Sequence, residues 1–205
     1  MAFSFYYFIL SLKRIKNCAY KMKLIKPKEI YMLELAKDFE LVREKYINVI
    51  ENTPGMEEYA RWVCGQHPTD AMLKSYIENN EMYFYIDDGN LVGMIAIVMH
   101  QNDDYKTVAW ERVLRNDEVS TLHILAVCPE YQKKGYGVKI LEEAVELSRK
   151  NGKKAVRFDA LKSNIPAQKM YERYGFKFRG IQKLYYENTG WADFLFYEMN
   201  IYNGA

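Results

Sequence analysis

The feature that most restricts how this chain can fold is the run Glu118 to Lys150, where a period-two apolar segment passes, across two glycines, into a period-3.6 segment. Glu118 to Val127 reads as a strand, with Leu122, Ile124 and Ala126 on one face and Thr121, His123 and Leu125 on the other. Val138 to Lys150 reads as an amphipathic helix with Val138, Leu141, Ala144, Val145 and Ser148 inward, stopped by Asn151-Gly152. Between them stands Gln132-Lys133-Lys134-Gly135-Tyr136-Gly137. Glycines at 135 and 137 let the backbone pass close to a ligand, and successive N–H groups at a helix start form a positive concavity suited to a pyrophosphate. A phosphate-bearing cofactor is the natural occupant. A P-loop is excluded by the lack of GKS or GKT, and a dinucleotide fingerprint by Ile140 at the place of its third glycine.

The flanking segments spell a mixed α+β order. Met22 to Pro27 is expected as the first strand of a domain spanning 22–205, which leaves 1–21 as an N-terminal extension. Apolar residues at 30, 33, 36, 39, 42, 46 and 49 predict one long helix or two joined ones over Lys28 to Ile50, ended by Asn52-Thr53-Pro54-Gly55. Short helices follow at Glu57 to Cys64 and Thr69 to Ile77, the second with Thr69 as its N-cap. Met82 to Ile86 and Leu91 to His100 form a hairpin about Asp87-Asp88-Gly89-Asn90, and Tyr105 to Trp110 is the next candidate strand. Ala155 to Leu161 is a strand, Ile165 to Tyr174 a helix with Pro166 in its first turn and Gly175 as its cap, and Phe176 to Tyr186 and Ala192 to Ile201 are closing strands.

A chain of 205 residues, 49% hydrophobic and 27% charged, can bury a core as one domain. With 29 basic and 27 acidic residues it sets up no strong field for nucleic acid or anionic lipid. Phe3 to Leu12 is apolar, but its basic residues follow the run, the wrong polarity for a secretory signal, and it falls short of the roughly twenty residues a span needs. No membrane partner is expected, and the chain is placed in the cytoplasm. Cys18, Cys64 and Cys128 form no CxxC or CxxH cluster with the three histidines, so neither a disulfide framework nor a metal site is favoured. A homodimer is the favoured assembly on the general frequency of two-fold oligomers.

The run Leu122-His123-Ile124-Leu125-Ala126-Val127-Cys128-Pro129-Glu130-Tyr131-Gln132-Lys133-Lys134-Gly135-Tyr136-Gly137 resembles motif A of the GNAT (Gcn5-related N-acetyltransferase) family. Asn164-Ile165-Pro166-Ala167-Gln168-Lys169-Met170-Tyr171-Glu172-Arg173-Tyr174-Gly175-Phe176 is similar to its motif B, at the expected distance. The resemblance implies a splayed mixed, mostly antiparallel sheet flanked by helices, whose fourth strand parts from the fifth, with acetyl-CoA lying in the gap as co-substrate. It implies that backbone groups of Leu125 and Val127 pair with the pantetheine arm and that N–H groups of Gln132, Lys133, Lys134, Gly135, Tyr136, Gly137 and Val138 hold the pyrophosphate. Asn164 and Ala167, at the start of the following helix, would contact the far side of the arm.

The implied reaction is attack of a primary amine, on a small molecule or a peptide, at the thioester carbonyl. It needs a proton acceptor for the amine and a proton for the departing thiolate. Tyr171 matches the family tyrosine that supplies this proton, and a phenol near pKa 10 suits a thiol leaving group. His123 occupies a place similar to a catalytic histidine of some relatives and is the candidate base, with Glu111, Asp117 and Glu118 in reserve. Cys128 invites a covalent acyl-cysteine route, but no oriented histidine can be assigned beside it. The rival reading is a module that binds or senses acyl-CoA without catalysis. Acyl-chain preference and acceptor identity depend on pocket shape, which sequence does not measure.

Overall fold

In the computed structural model of this chain, residues 32–187 and 189–202 are described. The expected strand Met22 to Pro27 and the extension 1–21 lie outside them. The first described element is a strand, β1 (Met32–Leu35), followed by helix α1 (Phe39–Asn52). The stripe over Lys28 to Ile50 is therefore not one helix: Leu33 belongs to a strand that pairs antiparallel with the hairpin, opposite Tyr85, and Ala36 to the irregular link after it. Asp38 separates the two, its carboxylate accepting from the Leu41 N–H at 3.1 Å and so capping the first turn.

Helices α2 (Met56–Ala60) and α3 (Asp70–Glu78) come next, the latter capped by the Thr69 hydroxyl, which accepts from the Met72 N–H at 3.2 Å. Then follow β2 (Met82–Asp87), β3 (Asn90–Val98), β4 (Val119–Val127), α4 (Tyr136–Lys150), β5 (Ala155–Leu161), α5 (Ile165–Tyr174), β6 (Lys177–Tyr186) and β7 (Gly190–Asn200). The strand expected at Tyr105 to Trp110 is instead a 3-10 turn, Asp103–Thr107, with irregular chain after it. Aromatic packing overrides local β propensity there: Tyr105 is buried against Phe196 and Trp110, and the Trp110 indole N–H donates to the Tyr105 carbonyl at 2.7 Å.

The seven strands make one sheet in the order β1-β2-β3-β4-β5-β7-β6, antiparallel at every step except β4 to β5. That parallel contact is brief. Only Val119, Ser120 and Thr121 find partners, Ala155, Val156 and Arg157, after which the two strands diverge. The closed end is held by a buried network. Arg157 donates to Glu198 Oε1 at 2.8 and 3.0 Å and to Gln101 Oε1 at 2.7 Å, while the Glu111 N–H donates to Glu198 Oε2 at 3.1 Å. Both charged groups are essentially inaccessible, and each has the other, a condition on which a buried ion pair depends.

Helix α4 covers one face of the sheet through Ile140, Leu141, Ala144, Val145 and Ser148, packed on Ile95, Ile97, Leu122 and Phe158. Val138, expected inward, is 37% exposed, and Ile140, one turn before Ala144, is buried instead. Its approach to the sheet is close at Gly93, where an added Cβ would stand 2.5 Å from the Ala126 carbonyl oxygen and 2.8 Å from Ile140 Cδ1. Helices α1 and α3 cover the other face with Val42, Tyr46, Val49 and Leu73 on Met82, Met94, Ala96 and Ala126.

Candidate active site

The divergence of β4 from β5 opens a cavity of about 370 Å³ inside the molecule. Its floor and walls come from both strands, from α3 and α5, and from the turn at Asp103–Thr107. What projects into it depends on an irregularity in β4. Met94 pairs with Ala126 and Ala96 with His123, so two residues, Ile124 and Leu125, stand opposite the single Ile95: a β-bulge. Ile124 has φ 45°, a left-handed conformation that a β-branched residue adopts only when its surroundings enforce it. The constraint is visible. The Tyr46 hydroxyl, from α1, donates to the Ile124 carbonyl at 2.5 Å.

The bulge corrects the strict alternation expected for this strand. Leu122, Leu125 and Val127 pack toward α4, whereas Ile124 and Ala126 pack toward α1 and α3, where His123 also stacks on Tyr76. His123 and Leu125 therefore do not share a face. One extra residue shifts the phase of everything after it.

His123 lines the cavity, its ring 6.0 Å from that of Tyr76 on α3 and nearly parallel to it. The Thr121 hydroxyl donates its one proton to the His100 carbonyl at 3.0 Å, so its oxygen can only accept at 3.1 Å from His123 Nε2. That places the imidazole proton on Nε2 and leaves the Nδ1 lone pair as the basic position. Burial, with His100 adding to it and Asp159 opposing, holds the imidazole pKa below 6.5, so the ring is neutral at neutral pH.

Tyr171 enters the cavity from α5, its ring 4.4 Å from Phe158 and 5.9 Å from Tyr197. Burial, ahead of the negative field of Asp159 and the neighbouring Tyr197, pushes its phenol well above the ordinary 10. The phenol is therefore protonated at neutral pH. Cys128 is buried just beyond β4, and burial followed by the charge of Glu130 pushes its thiol up to about 11, which makes it a poor nucleophile.

One residue the sequence reading missed is Asp159. It lies on β5, lines the same cavity and accepts from the Tyr105 hydroxyl at 2.6 Å. Its field acts on Tyr76, Tyr105, His123, Tyr171 and Tyr186 alike. The available signal was a carboxylate two places after Arg157 in an otherwise apolar strand, Ala155-Val156-Arg157-Phe158-Asp159-Ala160-Leu161. Of the reserve bases, none lines the cavity. Glu111 pairs with Arg179, Asp117 with Arg115, and Glu118 with Lys154.

At the end of β4 the chain makes a 3-10 turn at Pro129–Tyr131 and then the glycine turn. Gly135 has φ 85° and serves as N-cap of α4, whose first-turn N–H groups have no acceptor four residues back. The Val138 N–H makes a tight three-residue bond to the Gly135 carbonyl at 3.1 Å, and the Lys139 N–H makes the first regular helical bond to the same oxygen at 3.3 Å. A side chain on Gly137 would meet Met170 Sδ at 2.6 Å, so its lack of one keeps α4 and α5 together at this mouth. Lys133 has φ 60°, and Lys134 places its ammonium 5.5 Å from the Tyr131 ring. Tyr136 packs edge-on to Tyr131 and Tyr85. Gln132 is turned inward: its amide donates to Thr53 Oγ1 at 2.7 Å and to the Val127 carbonyl at 3.0 Å, bracing the strand end against the end of α1. A carbonyl oxygen has a second lone pair, so Val127 can still accept from a ligand. Asn164 caps α5 by accepting from the Ala167 N–H at 3.3 Å.

A sheet opened between β4 and β5, a glycine turn leading into a helix just after β4, and a phenol, an imidazole and a carboxylate gathered in the opening are the arrangement expected of an acyltransferase that takes its acyl group from a phosphorylated carrier. The chain belongs to the acetyltransferase (GNAT) family, whose model matches residues 43–176. It is 25% identical over 123 residues, 59% of this chain and 71% of the other, to a Bacillus subtilis protein assigned as a [ribosomal protein bS18]-alanine N-acetyltransferase. Among solved structures, a GNAT acetyltransferase from Listeria monocytogenes is similar with a TM-score of 0.63 and 22% identity, over 83% of this chain and 95% of that one. A Salmonella typhimurium protein classed as an acetyltransferase, solved with its cofactor acetyl-CoA, is similar with a TM-score of 0.58 and 17% identity, over 85% and 96% of the two chains. Among the described residues no cluster could hold a metal ion, and no helix is long and apolar enough to cross a membrane.

Proposed function

We propose that this chain transfers the acetyl group of acetyl-CoA to a primary amine by direct attack within a ternary complex. The observation that carries the reading is the convergence of Tyr171, His123 and Asp159, from three different elements, on the one cavity that the β4–β5 opening creates. The N–H groups from Gln132 to Val138, whose two end members also reach the Pro129 and Gly135 carbonyls, grip the diphosphate of the carrier, and Gly135, beside which an added Cβ would meet nothing within 4 Å, leaves room for that approach. Leu125 and Val127 pair with its pantetheine arm, and Asn164 and Ala167 flank the arm from α5. Support for acetyl-CoA as the carrier comes from the Salmonella relative solved with it.

Asp159 draws the acceptor in as an ammonium and orients it. His123 takes the proton through Nδ1, and the freed nitrogen forms its bond to the carbonyl carbon as the carbon–sulfur bond breaks. Tyr171 then gives its proton to the departing sulfur, and the second proton that the nitrogen must shed to become a neutral amide returns to the Tyr171 oxygen. The high pKa of Tyr171 fits this order, because the phenol stays protonated until a basic thiolate appears beside it. The high thiol pKa of Cys128 speaks against an acyl-cysteine route. The name of the Bacillus relative makes a peptide amine a natural acceptor to test beside small amines.

The test is acceptor-dependent release of CoA thiol, followed by a disulfide reagent, with Tyr171→Phe beside the parent. Turnover should fall at least about tenfold, the lower range for loss of general acid catalysis, while calorimetric acetyl-CoA binding is retained. A Tyr171→Phe protein that turns over like the parent ends the acid assignment.

A further inference from the structure

The cavity also carries information about charge. Among the described residues that line it there is no lysine and no arginine, although the chain has 29 of them. Its two carboxylates sit at different depths. Asp159 lies on β5 with Tyr105 donating to it, and Asp104 lies on the exposed turn at the rim. The same lining carries the aromatic rings of Trp62, Tyr76, Tyr105 and Tyr186. The Tyr186 phenol feels both carboxylates, which join burial in pushing it up to about 12, so the two negative charges act on a common space. His67 and His123, the lining imidazoles, are both kept from charging by burial. Aromatic faces attract cations through their quadrupoles, and a wall without compensating positive charge leaves the field of the two aspartates standing.

The geometry points to an acceptor that carries a second positive charge, set at Asp104, and no carboxylate near its reacting amine: a diamine or a longer polycationic amine, and not a free amino acid. This rests on the transferase reading above and names the substrate class of the same cavity. The reacting nitrogen lies beside Asp159 and His123, and the distal cation lies against Asp104 and the Tyr186 ring. An amino acid of the same length would bring its carboxylate to the rim, where Asp104 repels it and the nearby cations are engaged elsewhere, Arg61 with the Thr189 carbonyl and Lys106 with Asp103.

Three amines with matched chains test this: putrescine, butylamine and gamma-aminobutyrate. Each is assayed for thiol release with acetyl-CoA and for calorimetric binding to the protein loaded with CoA. Putrescine should exceed gamma-aminobutyrate at least about tenfold in kcat/KM and butylamine about threefold, consistent with one rim-exposed charge pair. In Asp104→Asn, whose site is exposed enough to spare the fold, the putrescine-to-butylamine ratio should drop toward one. If gamma-aminobutyrate matches putrescine, or if Asp104→Asn leaves the ratio where it was, the inference is overturned. Selective putrescine binding without any thiol release would keep the charge assignment and defeat the transferase reading instead. Failure of all three amines to bind would overturn the inference itself.

Discussion

Replacing Tyr46 by Phe isolates the contact that holds the active-site strand in its bulged form. Tyr46 is 1% exposed, and its ring packs edge-on to Trp62 at 5.5 Å, a contact that phenylalanine keeps, so the substitution removes little more than one oxygen. That oxygen donates to the Ile124 carbonyl at 2.5 Å, and burial, the main cause of its raised pKa, keeps it protonated for the purpose. Loss of the donor takes away the side-chain partner of the Ile124 carbonyl, which costs about 1–3 kcal/mol. The left-handed backbone at Ile124 stores a similar amount, about 1–3 kcal/mol, and relies on such contacts to persist. A destabilisation of about 2 kcal/mol is therefore expected, or a Tm lower by roughly 4–8 °C in a domain of this size. Urea melts at unchanged m-value would read it. Turnover should fall as well, since relaxation of the bulge would rotate His123 and Leu125 away from their present faces. A Tyr46→Phe protein within about 0.5 kcal/mol of the parent, with full activity, would show that the bulge sustains itself and that α1 does not position the strand.

Other expectations follow from single residues. The pKa of His123 is lowered in the folded protein, so as pH falls below 6.5 the unfolded chain binds a proton before the native one does. Stability should decline with acid in that window, His67 adding the same sign, and the acid limb of kcat/KM should lie below 6.5. His123→Gln should flatten the stability slope; a slope identical to the parent would remove His123 from the titration. Cys128→Ala should keep its turnover within about threefold, and rapid mixing without acceptor should show no burst of thiol, as expected for a thiol too basic to act as nucleophile. Gly93→Ala must push its Cβ against the Ala126 carbonyl and Ile140, a clash worth about 1–3 kcal/mol, and an unaltered melting point would contradict the close approach of α4 to β3.

Much of the scaffold is written in short-range patterns. The strand, glycine turn and helix from Val119 to Lys150 are contiguous, and each step uses a local cue: alternation, the positive φ of Gly135, and a 3.6 period ended by Asn151. The α5 segment is legible for the same reason, with Asn164 and Pro166 at its start and Gly175, at φ 118°, closing it. Tyr171 and His123 are named by position within these blocks. Their neighbours are not. The boundary at Asp38 was hidden because apolar residues of β1 happen to continue the period of α1, and a stripe cannot say where strand stops and helix begins.

What the tertiary structure alone decided is the content and polarity of the cavity. Tyr105 reaches Asp159 across 54 positions and Tyr46 reaches Ile124 across 78, separations over which no local periodicity carries information. The bulge is the clearest case. A period-two reading assigns His123 and Leu125 to one face, and the structure separates them because one extra residue, forced into a left-handed turn and held by a phenol from α1, resets the alternation. Sequence named the residues proposed for proton chemistry and the glycine turn proposed to grip a diphosphate. Folding determined which carboxylate joins them and that no lysine or arginine among the described residues lines the cavity, because burial and charge are properties of neighbours in space and not along the chain.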